Sequence, residues 1–228
     1  MRNGRYLLSV GLITAVILAV AGLLWNTGGG EPSLGSADLR VTPWYLGVEN
    51  TPVTIDLYTD YLCAVCLEKE RMARQAFEYF AGRIRLVCHH YPMTDLSRII
   101  AALLEAAGKQ GMFWELHDRL IHDEPRDIAE AVSAARAVGM GAGEFSISYL
   151  LDEAEAVGLD SELLIRALGD EHYAEMIRLA IEDAESCGVT TASLYLNGKE
   201  YQAVHGTLEE LYGLIEEELK RTGGDDGE

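Results

Sequence analysis

At 228 residues, 49% hydrophobic and 24% charged, the chain is long enough to bury a sizeable core without disulfides, and its composition is neither disordered nor fibrous. A formal charge of −19 repels phosphate backbones, which argues against nucleic acid as a partner and for neutral, basic or unfolded ones. The four cysteines, Cys63, Cys66, Cys88 and Cys187, form one close pair and two singles, unlike the dense framework of a small secreted scaffold.

Arg2 and Arg5 are the only charges before residue 26, and Tyr6 to Trp25 is an uncharged run. As a helix that run would extend about 30 Å, the depth of a bilayer core. Residues 1–25 are therefore expected to be a single-pass signal anchor in the cell membrane, with the arginines inside and the remaining chain on the extracytoplasmic side. A cleavable signal peptide is the rival, because Ala19-Val20-Ala21 has the small-x-small form of a cleavage site. Against it, Leu23, Leu24 and Trp25 continue the apolar run. Residues 26–42 begin NTGGGEPSLGSA and read as a flexible linker.

Val53, Ile55 and Leu57 alternate with Thr54, Asp56 and Tyr58, the period of a strand. After Cys63 the spacing changes to that of a helix, with Cys66, Ala73, Phe77 and Phe80 on one face to about residue 81. Cys63 thus stands where a strand ends and a helix begins, beside unpaired backbone N–H groups and the positive end of the helix dipole, both of which favour a thiolate. Cys66 follows one turn later and can close a disulfide with it. This reads as a dithiol switch in which Cys63 attacks and Cys66 resolves. Two other readings stay open: an inert structural disulfide, or half of a zinc site completed from Cys88, His89 and His90.

Arg83 to Tyr91 reads as a second strand with Ile84, Leu86 and Cys88 on one face. A helix between the two strands implies a right-handed parallel crossover. From Asp95 to about residue 186 the pattern is helical. Asp95 is expected to cap a helix running to about Ala107, and Gly108 and Gly111 to interrupt it. Pro125 and Asp127 open another helix that a glycine-rich break at 139–143 closes, and Ser146 to Ala156, Ser161 to Leu168 and Glu171 to Ser186 give three more. Phe113 and Trp114 are expected to fill the seam between these helices and the sheet, and His117 to lie on a helix surface or as a satisfied core residue. Cys88 and Cys187 are either core thiols or a second disulfide. Ser193 to Leu196, Asn197-Gly198, and Lys199 to Val204 read as a hairpin with a two-residue turn. Thr207 to Glu210 is a capping box opening a helix with Leu211, Leu214, Ile215 and Leu219 on one stripe. An acidic tail at 223–228 is expected to be disordered.

The segments Asp60-Tyr61-Leu62-Cys63-Ala64-Val65-Cys66, His90-Tyr91-Pro92-Met93, Gln110 to Asp118 (QGMFWELHD), Gly188-Val189, and Leu194 to Gly198 together resemble the DsbA-like thiol-disulfide oxidoreductases. The resemblance covers roughly residues 43–220. It implies an α/β thioredoxin-like fold spanning 43–222, with an inserted all-helical subdomain at about 94–186. It further implies catalysis by Cys63 and Cys66, protein substrates bearing thiols or disulfides, a membrane redox partner, and no cofactor or metal beyond the redox-active disulfide.

Three departures from the family's pattern stand out. Ala64 replaces the proline after the first cysteine, and Val65 a residue that is commonly aromatic or His; this dipeptide governs thiolate stabilisation. Leu57 stands six before Cys63, where the family often carries an acid, while Asp56 faces the other way, so Asp60 becomes the candidate proton acceptor. Thr191-Ala192, the expected substrate-binding loop, has alanine where the family has a cis-proline. The alternative functions are accordingly a client-binding or chaperone module, or a metal carrier, with little turnover.

Overall fold

The computed structural model describes residues 40–121, 142–201 and 206–223. The expected anchor at 1–25, most of the linker, the helix opening at Pro125 and the tail beyond Gly223 lie outside these residues. No helix among the described residues is long and apolar enough to cross a membrane.

The elements in order are β1 (Trp44–Leu46), β2 (Val53–Thr59), α1 (Ala64–Tyr79), β3 (Ile84–His90), α2 (Asp95–Lys109), α3 (Phe113–Ile121), α4 (Ala142–Ala156), α5 (Ser161–Leu168), α6 (Glu171–Ser186), β4 (Ser193–Leu196), β5 (Lys199–Glu200) and α7 (Leu208–Gly223). They build a five-stranded sheet in the order β1-β3-β2-β4-β5. β2 and β3 run parallel with Val53 opposite Ile84 and Thr59 opposite His90, as the crossover through α1 requires. β4 pairs antiparallel with β2, Tyr58 lying opposite Ser193. β1, which has only three residues and so no readable period, adds an edge with Trp44 opposite Cys88. This is the thioredoxin-like α/β arrangement with helices inserted between β3 and β4.

Two apolar cores follow from these faces. Val53, Ile55, Leu57, Ile84 and Leu86 of the sheet pack against Ala73, Ala76 and Phe80 and, from α7, Leu211, Ile215 and Leu219. Leu214, expected on that α7 stripe, is 40% exposed, because the buried positions recur every four residues at 211, 215 and 219. The second core gathers Ile100, Leu103, Leu104, Phe113, Leu116 and Leu120 of the insertion around Tyr61, Leu67 and Cys88. Phe113 is buried and Trp114 partly so, filling the seam as expected.

Several local expectations shift. Thr94, not Asp95, caps α2, accepting from Ser97 N at 3.2 Å. α4 starts at Ala142 rather than Ser146, so Gly143 lies inside a helix. The hairpin turn has φ of 47° at Asn197 and 78° at Gly198, the two positive values a type I′ turn demands. The capping box is reciprocal: Glu210 N donates to Thr207 Oγ1 at 3.2 Å, and Thr207 N to Glu210 Oε2 at 2.9 Å.

Gly108 does not interrupt α2 but lies within it. A Cβ there would sit 2.1 Å from Cζ2 of Trp44, so the missing side chain is the notch that receives the indole. The ring stacks on Phe113 at 4.5 Å between centroids, and its Nε1 donates to Glu105 Oε1 at 2.9 Å. Gly108→Ala should therefore expel Trp44 and destabilise the fold by roughly 1–3 kcal/mol despite the better helix propensity of alanine. Urea unfolding followed by tryptophan fluorescence reads this directly; a variant at least as stable as the parent would show that the notch is not needed.

Candidate active site

β2 ends at Thr59, and Asp60-Tyr61-Leu62 turns the chain into α1, with Cys63 N donating to Asp60 O at 3.2 Å. Cys63 is the N-cap of α1, in an extended conformation, and its Sγ accepts from Cys66 N at 3.3 Å. The sulfur therefore occupies the position where a capping oxygen would satisfy a free N–H, in the positive field of the helix start. Cys63 and Cys66 are joined in a disulfide with Cα atoms 5.2 Å apart. Cys63 is the more exposed of the two, and Cys66 is 8% exposed.

The zinc reading is corrected by the partners of its proposed ligands. The sulfurs of Cys63 and Cys66 are bonded to each other, His89 Nε2 lies 3.0 Å from Asp56 Oδ1, and His90 bonds Tyr61 and Glu105. Cys88, also free and buried, faces Tyr61 and His117. Cys88 and Cys187 are both free thiols, so the second disulfide is not formed.

Asp60 is 3% exposed and each of its oxygens is engaged. Oδ1 accepts from Leu62 N at 2.8 Å and Ser97 Oγ at 3.0 Å, and Oδ2 accepts from Met93 N at 2.6 Å. Ser97 Oγ in turn accepts from Tyr61 N at 3.1 Å. The carboxylate thus ties the cysteine turn to the loop after β3 and to the first turn of α2. Sequence reasoning missed Ser97, whose position three after the Thr94 cap was its only signal.

The register that puts Ser193 opposite Tyr58 carries Ala192 to the end of β2, beside the cysteine turn. Ala192 is buried in a cluster with Tyr58, Cys66, Tyr91, Val189 and Tyr195, against which Cys63 packs; Thr191 is exposed. The loop therefore lies beside the cysteine pair. A cavity of about 490 Å³ is lined by Ile99, Ala102, Leu168, Ile177 and Ile181 among others, and neither cysteine lines it.

Behind the turn runs a buried polar seam. Tyr61 Oη bonds His90 Nδ1 at 2.6 Å, and His90 Nε2 lies 2.9 Å from Glu105 Oε1, with both residues of this pair 3% exposed. Burial pushes the Glu105 carboxyl up, but the bond to His90, its charge, Trp44 and Lys109 outweigh it and hold the pKa below the ordinary value. Deeper, His117 Nε2 lies 2.5 Å from Glu70 Oε1. Burial opposes charge on His117, yet Glu70, Asp118 and Cys88 raise its pKa well above the ordinary value. His117 is thus a core residue, exposed to 1%.

A thioredoxin family model matches residues 40–217. The chain belongs to the thioredoxin family. Its C-x-x-C pair is in place at the head of α1. The fold is shared with a thioredoxin-like oxidoreductase from Silicibacter pomeroyi, at a TM-score of 0.59 and 20% identity over 80% of this chain and 92% of that one. It is shared also with MdbA, a thiol-disulfide oxidoreductase from Actinomyces oris, at a TM-score of 0.60 and 17% identity over 76% and 84% of the two chains. Among curated proteins, the Na(+)/H(+) antiporter NhaA 1 of Salinispora arenicola is 30% identical over 165 residues, 71% of this chain and 22% of that protein. The chain spans about a fifth of the length of the curated relatives it matches.

Because Glu105 lies below its ordinary value of 4.5 when folded, it contributes stability that is complete above that value and is lost as the pH falls through the lower folded value. Glu105→Gln should flatten the acid limb of a pH series of urea unfolding curves, and should lower stability at neutral pH by removing the carboxylate that His90 Nε2 and Trp44 Nε1 face. A parental slope in the variant would place the acid sensitivity elsewhere.

Proposed function

We propose that this protein is a membrane-tethered, extracytoplasmic thiol-disulfide oxidoreductase that exchanges disulfides with protein substrates. The observation that carries the reading is the Cys63–Cys66 disulfide at the head of α1, with the more exposed sulfur in the capping position. In the oxidising direction a substrate thiolate attacks Cys63 Sγ, the S–S bond breaks, and Cys66 leaves as a thiolate that takes up a proton. A second substrate thiolate then attacks the mixed disulfide at the substrate sulfur, releasing oxidised substrate and the Cys63 thiolate. In the reducing direction Cys63 attacks a substrate disulfide and Cys66 displaces the product. The backbone N–H that bonds Cys63 Sγ supports the thiolate whenever Cys63 is the leaving or attacking group.

Thr191 and Ala192 form the loop along which a substrate chain would lie, given their place beside the pair. Asp60 holds the turn through Leu62, Met93 and Ser97, and as the buried carboxylate of the cysteine turn it is also the candidate proton acceptor for Cys66. The apolar run Tyr6 to Trp25 supports a location at the outer face of the cell membrane, where a membrane redox partner would reset the pair. The occurrence of a similar domain in proteins named as Na(+)/H(+) antiporters is consistent with work at a membrane surface. Alanine at position 192 favours a second reading, a client-binding module with slow turnover.

Insulin reduction in dithiothreitol separates the two. Cys63→Ser should abolish activity, Cys66→Ser should accumulate mixed disulfides with substrate, and Cys187→Ser should leave the rate unchanged. If the wild type bound unfolded insulin without accelerating its reduction, and Cys63→Ser bound it equally, the exchange reading would be lost to the binding module.

A further inference from the structure

Glu70 of α1, Cys88 of β3 and His117 of α3 come from three different elements, and each is buried to 1% exposure. One ligand atom from each lies within 4.8 Å of the others. His117 Nε2 stands between its two neighbours, 2.5 Å from Glu70 Oε1 and 4.0 Å from Cys88 Sγ. Although so close, the pair is not aligned as a hydrogen bond, and neither oxygen of the Glu70 carboxylate has a hydrogen-bond partner among the described residues. The ion pair with His117 neutralises the carboxylate, and the Cys88 thiol closes the third side of the same cluster. The other imidazole nitrogen is tied from behind: Nδ1 lies 3.3 Å from Asp118 Oδ1, and Asp118 Oδ2 accepts from Arg74 at 2.7 Å. A carboxylate behind one nitrogen, leaving the other turned inward, is the outer-shell arrangement of metal-binding histidines.

We propose that Glu70, Cys88 and His117 form a zinc site that staples the helical insertion to the thioredoxin core. The donors are one thiolate, one imidazole and one carboxylate, the borderline-soft mixture that suits zinc better than magnesium or calcium. Their three elements meet at the seam where Arg71 Nε also donates to Ile121 O at 3.1 Å and Arg74 reaches Asp118. Binding displaces the Cys88 thiol proton and the His117 imidazole proton. A neutral set of carboxylate, imidazolium and thiol becomes a neutral set of zinc, thiolate, carboxylate and imidazole, so no net charge is added to the buried seam. Since the seam is enclosed, the ion is taken up as the insertion closes on α1, and its binding energy adds to folding. The inference is independent of the disulfide chemistry, because Cys63 and Cys66 are not among the ligands.

The test uses the full chain with the Cys63–Cys66 disulfide intact, produced with added zinc and purified without chelator. Metal analysis should find about one zinc per chain, and zinc should raise the thermal midpoint while a strong chelator lowers it. Cobalt substituted for zinc should show thiolate-to-cobalt charge transfer in the near ultraviolet. That band should persist in Cys187→Ser and vanish in Cys88→Ala. Glu70→Gln should bind zinc at least tenfold more weakly. The wild-type measurements decide the matter even if a variant fails to fold. No retained metal, no charge-transfer band and a thermal midpoint indifferent to both zinc and chelator would overturn the site.

Discussion

The architecture depends on one junction, the turn between β2 and α1 in which a sulfur caps a helix. Cys63 can occupy that place only because the turn is held from outside. The Asp60 carboxylate draws Leu62 N, Met93 N and Ser97 Oγ to itself, so the loop after β3 and the first turn of α2 are gathered under the cysteines. Charge-assisted bonds from buried donors are among the stronger polar contacts available to a protein, and three of them converge on this one residue. A loop alone could not hold a reactive sulfur so closely; the parallel sheet and the crossover helix supply the rigid ends between which the turn is strung.

That same demand explains why the insertion is more than a lid. Tyr61, in the cysteine turn, packs into the helical core through its ring and bonds His90 through its hydroxyl. His90 pairs with Glu105 of α2, and Glu105 accepts from Trp44 of β1. The edge strand, the core strand β3, the cysteine turn and the insertion are therefore linked by one set of buried polar contacts. Such a network is worth its desolvation only when its members are satisfied together, which couples the integrity of the turn to the seating of Trp44 against Gly108 some distance away. Motion of the insertion relative to the sheet would have to break these bonds in concert.

Periodicity and turn chemistry made much of this visible in advance. The alternation of Val53, Ile55 and Leu57, the change of spacing after Cys63, the Asn197-Gly198 turn and the Thr207 to Glu210 box each report a backbone preference that acts within a few residues. Such preferences survive without knowledge of partners, so β2, α1, β3, the hairpin and α7 were legible, as was the position of Cys63 at a helix start. The boundaries of α5 and α6 were legible for the same reason, since Asp160 and Asp170 cap them.

Other features depend on residues far apart in the chain and were decided only in three dimensions. β1 is too short to carry a period and exists because Trp44 finds Cys88 across the sheet. Gly108 reads as a helix breaker until an indole arrives from 64 residues upstream. Asp60, a candidate proton acceptor from its closeness in sequence, also ties the turn to Met93 and Ser97, partners that spacing along the chain does not reveal. Cys88, His89 and His90 are adjacent in the chain, yet strand alternation sends Cys88 and His90 to one face and His89 to the other, where Asp56 awaits it. Local chemistry along the chain determined the cysteine pair and its helix; the company that each buried polar side chain keeps was decided by tertiary structure, because hydrogen-bond partners are chosen by position in space rather than by distance along the sequence.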